Sequence, residues 1–422
     1  MEAKKKTVLR GFEYRNCDDF AAYLNHMARL GWHFKEWKAG LVFEQGTPEE
    51  SCYAVEVFTD GTEYDTRPEP KTREFAEYCE AAGWQLVDAK RKFCIFKKTR
   101  PDAVEIMTDE ERLHNIAKEE QKNIIHTLII SALWSGMQAV EFSSLSFANN
   151  IFSNASLLIT GIWFLFLFSS VCRAIHFSVW KTRMRARIQR GDRVHFGKAG
   201  KNGLGMYPIY NWISLSGCAL YLLGCWYFGQ SRMVLSFFGY LGVLLVMGWL
   251  IGRFRPEANT NAIIQTVVPM VLFVGLMVVS LYQVYDNNAK LRDKQQIPLY
   301  AEDIGLDYGQ MKSFTGYITN SIFGTHTAYS VSYRNQHTIF YVAYNTEEDW
   351  ILDRLWEIET RGAANENRTD CAEIWGAGTG FRNGNNKYYL RYPDGILIFT
   401  VYDEFEPSPE QVSIILEKLG LR

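Results

Sequence analysis

From about residue 122 to residue 285 the chain is a succession of apolar stretches, each near 20 residues long, set between two polar flanks. A bilayer core about 30 Å thick takes roughly 20 apolar residues in a helix, so the middle predicts membrane helices. The mean hydropathy of −0.16 hides this by averaging the apolar middle with its polar ends. Five spans are expected, at 123–142, 151–175, 207–228, 233–251 and 262–285. The first is the most polar, carrying His126, Gln138 and Glu141 toward its ends, and the fifth contains Pro269, which kinks a membrane helix without abolishing it.

Orientation follows from Lys and Arg in the short loops, which are retained on the cytoplasmic side. Between the second and third spans stand Arg173, Lys181, Arg183, Arg185, Arg187, Arg190, Arg193, Lys198 and Lys201, and between the fourth and fifth stand Arg253 and Arg255. The two opposite loops hold Arg232 alone. The N-terminal 120 residues are therefore expected in the cytoplasm and, with five spans, residues 286–422 outside the cell membrane. Lys290, Arg292 and Lys294 just beyond the last span pull the other way. No apolar leader follows the opening Met1-Glu-Ala-Lys-Lys-Lys6, so a signal peptide is not expected.

The flanks read as two soluble α+β domains. In the first, residues 1–100, a strand at 7–14 precedes a helix at 18–30 with Asp18 or Asp19 as its cap, then a hairpin at 31–37 and 41–44. A second round follows, with a strand at 52–58, a helix at 72–82 and strands at 83–87 and 93–96. Gly31-Trp32 and Gly83-Trp84 lie 52 residues apart at equivalent junctions, so the unit is a duplicated β-α-β-β. Residues 101–122 form a helical connector opened by a Thr108-Asp-Glu-Glu111 capping box. The C-terminal domain has strands at 327–333, 337–344, 387–392 and 396–402, with helices at 347–360 and 408–419.

The positions Leu24, Leu30, Gly31, Trp32, Phe34, Phe43, Tyr53, Phe58, Gly83, Trp84 and Phe96 give the N-terminal domain a resemblance to the bacterial domain of unknown function 2812 over about residues 8–100. That resemblance implies a soluble module followed by membrane spans, often encoded beside a PadR-type transcriptional regulator. It implies no catalytic residue.

No catalytic, cofactor or metal constellation stands out. Cys17, Cys52, Cys79 and Cys94 share no metal spacing and read as reduced, mostly packed thiols, while Cys371 is alone in the last domain. Gly376-Ala-Gly-Thr-Gly380 lacks the dinucleotide pattern, and Lys198-Ala-Gly-Lys-Asn-Gly-Leu-Gly205 lacks the ending of a phosphate loop. His326 and His337 have no ligand spacing, and Ser321, Ser330 and Ser332 no nucleophile-elbow context. The net charge of −2 removes any global argument for nucleic acid. Two features carry binding expectations. Trp32, Phe34, Trp37, Phe43, Tyr53 and Phe58 are either the core of a half-buried sheet or the wall of a ligand pocket. Lys181, Arg183, Arg185, Arg187, Arg190 and Arg193 either fix topology or meet anionic lipid at about 1 kcal/mol per charge.

The expected function is that of a non-enzymatic transmembrane sensor or signal-transmitting protein acting with a cytoplasmic regulator. The alternative is transport or small-molecule handling with a pocket in the cytoplasmic domain. The bilayer and anionic lipid are the expected partners, and Gly217-x6-Gly224 and Gly239-Tyr-Leu-Gly242 allow close helix packing or a homo-oligomer.

Overall fold

A computed structural model describes residues 4–197, 209–227, 231–290, 297–334, 336–363, 368–384, 386–402 and 405–421. The chain divides into two compact units. The first holds Met1–Leu133, Phe164–Leu222 and Gln230–Met277, the second Trp134–Trp163, Leu223–Gly229 and Val278–Arg422.

The first unit contains the duplication. Strand β1 (Lys5–Val8), helix α1 (Cys17–Arg29), β2 (Trp32–Trp37) and β3 (Leu41–Gln45) are repeated as β4 (Tyr53–Val57), α2 (Pro70–Ala81), β5 (Trp84–Lys90) and β6 (Phe93–Lys98). Each half forms a three-stranded antiparallel sheet whose hairpin partner lies in the middle, in the order β1-β3-β2 and β4-β6-β5. The pairing shifts register between Phe34 and Glu36 in one half and between Leu86 and Asp88 in the other, again 52 residues apart. Gly31 and Gly83 end their helices at φ +78° and +93°, a region that side-chain-bearing residues avoid. Two expectations at the start of the module differ. The first strand is shorter and earlier than 7–14, because Tyr14–Asn16 is a 3-10 turn feeding α1. Asp18 and Asp19 do not cap α1: they lie in its first turn with their carboxylates committed to residues far along the chain.

Period-2 alternation splits the second sheet between two cores. Val55, Val57, Phe93 and Ile95 face α1, where Phe20 and Leu24 are fully buried. Cys94 and Phe96 pack with Cys79 of α2 and Trp84. Burying a side chain the size of Phe20 or Leu24 stabilises by about 1.5–3 kcal/mol.

Five long helices follow among the described residues: α3 (Asp109–Ser143), α5 (Asn154–Gln189) after the short α4 (Phe147–Ile151), α6 (Ile209–Tyr227), α7 (Ser231–Phe254) and α8 (Ala258–Lys290). The Thr108–Glu111 capping box forms, with Glu111 N–H donating to Thr108 Oγ1 and Thr108 N–H to the Glu111 carboxylate. The connector is thus continuous with the first apolar stretch. Pro269 sits inside α8, which runs on through it. Among the described residues two helical stretches, Asn154–Gln189 and Ala258–Gly275, are long and apolar enough to cross a membrane, and Phe238–Phe254 is a shorter apolar one. A Cβ on Gly224 would stand 2.1 Å from Leu158 Cδ2, whereas Gly239 and Gly242 have open space at that position.

In the second unit a seven-stranded antiparallel sheet has the order β10-β11-β12-β13-β9-β8-β7. Its strands are β7 (Met311–Ser321), β8 (Gly324–Tyr333), β9 (Thr338–Asn345), β10 (Arg368–Asp370), β11 (Thr379–Asn383), β12 (Lys387–Tyr392) and β13 (Gly395–Val401). One face, with Tyr329, Tyr341, Leu397 and Phe399, packs on Trp375 of α10 (Ala372–Trp375) and on Ile415 of α11 (Pro409–Leu419). The other, with Val342, Tyr344 and Ile396, packs on α9 (Asp349–Thr360) and on Phe147 and Ile151 of α4. Buried tyrosines satisfy their hydroxyls on backbone: Tyr341 Oη accepts from Leu299 N–H at 3.2 Å and Tyr333 Oη from Ala301 N–H at 2.8 Å. Ser408 forms the expected capping box with Gln411 at the start of α11.

Candidate functional site

The densest chemistry lies where the duplicated module meets helix ends of its own unit. Three segments far apart in sequence dock on it, the first and the third each through a mostly buried arginine.

At the start of α3, Arg112 reaches into the module. It donates to Asp18 Oδ1 at 2.6 Å and to Glu56 Oε2 at 3.0 Å, and its guanidinium lies 4.8 Å from the centre of the Phe196 ring. Burial pushes the Glu56 carboxyl up to about 7, against the pull of Arg112. Burial also opposes the charge on Arg112, but Glu56 and Asp18 outweigh it and hold the guanidinium ionised. Two turns further on, Lys92 pairs with Glu119 at 2.7 Å, both almost sealed from solvent. Glu120 faces Arg173 of α5 at 3.7 Å, and burial raises its carboxyl.

The second segment is the extension of α5 with the residues after it. Met184 and Phe196 are part of the module's core. Asp18 N–H donates to the Phe196 carbonyl and Phe196 N–H to the Asp18 carboxylate, so this segment, and not a side-chain cap, occupies the N-terminus of α1. His195 Nε2 lies 2.9 Å from Asp19 Oδ1.

The third is the α7–α8 turn. Arg255, at φ +49°, reaches both halves of the duplication, its guanidinium lying 3.8 Å from Glu36 Oε2 and 2.7 Å from Asp88 Oδ1. It donates to the Thr66 carbonyl at 2.5 Å, the Asp88 carboxylate at 2.7 Å and the Ala89 carbonyl at 3.2 Å. Asp88 also accepts the Trp37 N–H, which joins β5 to β2. Burial raises the Asp88 carboxyl, with Arg255 working against the rise. Around this hook, Thr66 Oγ1 donates to the Pro256 carbonyl, Asn261 Nδ2 to the Tyr64 carbonyl and Ala258 N–H to the Glu69 carboxylate. A Cβ on Gly252 would stand 2.6 Å from Ala39 Cα, so only glycine lets the helix end approach the β2–β3 turn this closely.

A cleft of about 1060 Å³ lies beside these contacts, between the first turns of α3 and the last turns of α5. Its walls include Leu113, Lys118, Lys122 and Ile125 from α3 and Lys181 and Arg185 from α5.

The six aromatic candidates take their places in the cores. Phe34, Phe43 and Tyr53 are buried, and Trp32 and Trp37 pack against the same cluster. Phe58 belongs to the other cluster, stacked on Phe75 at 4.7 Å. Rings cross edge to face, as Phe34 does with Phe43 at 5.9 Å and Phe20 with Trp37 at 5.3 Å. None of the six lines the cleft. Of the basic candidates, Lys181 and Arg185 line it, and Lys181 Nζ donates to Gln121 Oε1 at 3.3 Å. Arg183 is exposed, Arg187 donates to the Arg193 carbonyl and Arg190 pairs with Asp192 at 3.5 Å. Lys198, Lys201 and the glycine-rich segment after them lie outside the described residues. His326 is buried among Phe152, Tyr317 and Tyr344, and burial lowers it to about 4. Among the described residues no group of three or more His, Cys, Asp and Glu side chains is placed to hold a metal ion.

Sequence reasoning took Arg255 for a topology charge and passed over Arg112, Asp88 and the Lys92–Glu119 pair. The one available signal was Arg255-Pro256, a cation set against a residue that forces the chain to turn.

Fold and site together define a tandem β-α-β-β module bonded to the ends of long apolar helices. Residues 16–129 match the model of the family described as protein of unknown function (DUF2812), so the module from α1 onward and the first three-fifths of α3 carry that family's pattern. No curated protein and no solved structure matches the chain.

Proposed function

We propose that this is a five-span membrane protein whose cytoplasmic module reports the state of its helices to a cytoplasmic regulator. The observation that carries the reading is the Arg255 hook, together with its counterparts on α3 and α5. Every segment expected in the cytoplasm, namely 1–122, 176–206 and 252–261, falls within the first compact unit. The first outer loop and residues 286–422 fall within the second. Buried ion pairs at helix ends suit transmission, because they hold one arrangement or break. The regulator is of the PadR type, as the family resemblance implies, and the protein does no chemistry of its own. Transport or small-molecule handling has less support, since the six aromatic side chains expected to wall its pocket are packed in cores.

In-cell crosslinking of the full chain, followed by purification from membranes, tests this reading. A single cytoplasmic protein should be captured through the N-terminal module, in amounts comparable with the chain itself. Recovery of the chain with no such partner, under conditions that crosslink α3 to the module, would sink the proposal.

A further inference from the structure

We infer that the cleft between α3 and α5 is a binding site for one anionic phospholipid, with its phosphate at the cationic wall and an acyl chain along α3. The inference rests on the membrane reading above. Lys118 and Lys122 are four residues apart on α3, and Lys181 and Arg185 four apart on α5, so each pair shares a helix face, and all four line the cleft. The Lys181–Gln121 hydrogen bond fixes the two pairs side by side. Lys122 shares Glu119 with Lys92, while Lys118 and Arg185 are exposed and have no acidic partner among the described residues. The acids of the cleft, Glu110 and Glu111, stand two to three turns away from the Lys118–Lys122 pair, and Glu111 is occupied by Thr108. One end of the cleft is therefore cationic, with Lys118 and Arg185 left without an acidic partner among the described residues.

The other half of the argument is apolar. Ile125 lines the cleft next to Lys122, and Ile129 and Leu133 continue at four-residue spacing on the same face of α3, exposed by 46%, 53% and 64%. A cationic pocket that opens onto an uncovered apolar stripe matches an anionic headgroup joined to a hydrocarbon chain. A soluble anion would leave the stripe unused.

The test uses the full chain purified in neutral detergent, titrated with phosphatidylglycerol, phosphatidylcholine or soluble glycerol phosphate and read by native mass spectrometry. Phosphatidylglycerol should be retained at least 25-fold better than phosphatidylcholine, and glycerol phosphate should neither bind nor compete. Changing Lys118→Gln with Arg185→Gln, both on exposed side chains, should cut that preference about 25-fold, near fivefold per cation. Arg183→Gln with Arg190→Gln, off the cleft wall, should leave it within about twofold. Equal retention of both lipids, equal loss in the two double variants, or competition by glycerol phosphate would overturn the site while leaving the membrane reading standing. A chain that stays in solution without detergent would overturn both.

Discussion

Arg112→Ala should destabilise the N-terminal module by about 3 kcal/mol at pH 8, read from denaturant unfolding of the full chain in detergent through the tryptophans of the module. The guanidinium holds Asp18 and Glu56 together, and the Glu56 side chain is only 7% exposed. Removing it strands a carboxylate that burial already disfavours. The variant should recover on acidification, and the sign follows from Glu56. Its folded value of about 7 lies above the ordinary 4.5. Its contribution is therefore fully present below pH about 4.5 and is lost as pH rises through about 7. Without Arg112 the folded value climbs further, so the gap between variant and parent should shrink between pH 8 and pH 5.5. Glu56→Gln should flatten that part of the pH dependence, although Asp88 and Glu120, raised by burial too, keep some of it. A variant within about 0.5 kcal/mol of the parent at pH 8 would show that the buried cluster does not hold α3 to the module.

The second large effect is expected at Arg255. Arg255→Ala leaves the Asp88 carboxylate, 4% exposed, with only the Trp37 and Ala89 N–H groups as partners among the described residues. Losing one member of such a pair costs about 3 kcal/mol. That corresponds to roughly a hundredfold faster hydrogen exchange in β5 and in the turn before α8, if both open as one unit. Arg255→Lys should not restore protection. A single ammonium cannot reproduce a planar fork that reaches the Thr66 carbonyl, the Asp88 carboxylate and the Ala89 carbonyl at once. Unchanged exchange in Arg255→Ala would remove the turn from the set of contacts that join the module to the helices.

The duplication was readable because it is written in strong local signals. Gly31 and Gly83 occupy left-handed positions that few residues tolerate, and the tryptophans after them begin strands. The matching register shifts, by contrast, have no residue-level signature. The long helices were readable from apolarity, and the capping boxes at Thr108 and Ser408 from their spacing. Strand β7 was not, because it is an edge strand whose residues are mostly exposed or half-buried, leaving only weak alternation. Asp18 and Asp19 misled for a physical reason. An acid in a first helical turn suits the helix dipole with or without capping, and here both carboxylates serve partners more than 90 residues away. The aromatic set was ambiguous in sequence, since alternating rings suit a core and a pocket equally. Arg255 was invisible as a hook because its partners, Thr66, Asp88 and Ala89, are some 170 residues earlier.

The number of crossings decides the whole account, and paired reporters measure it directly. An alkaline phosphatase or a fluorescent protein is fused after residue 120 and, in separate chains, after residue 422. Five spans predict fluorescence and no phosphatase activity at the first position, and phosphatase activity without fluorescence at the second. The same reporter active at both positions would mean an even number of crossings, and would contradict the placement of residues 286–422 on the outer side.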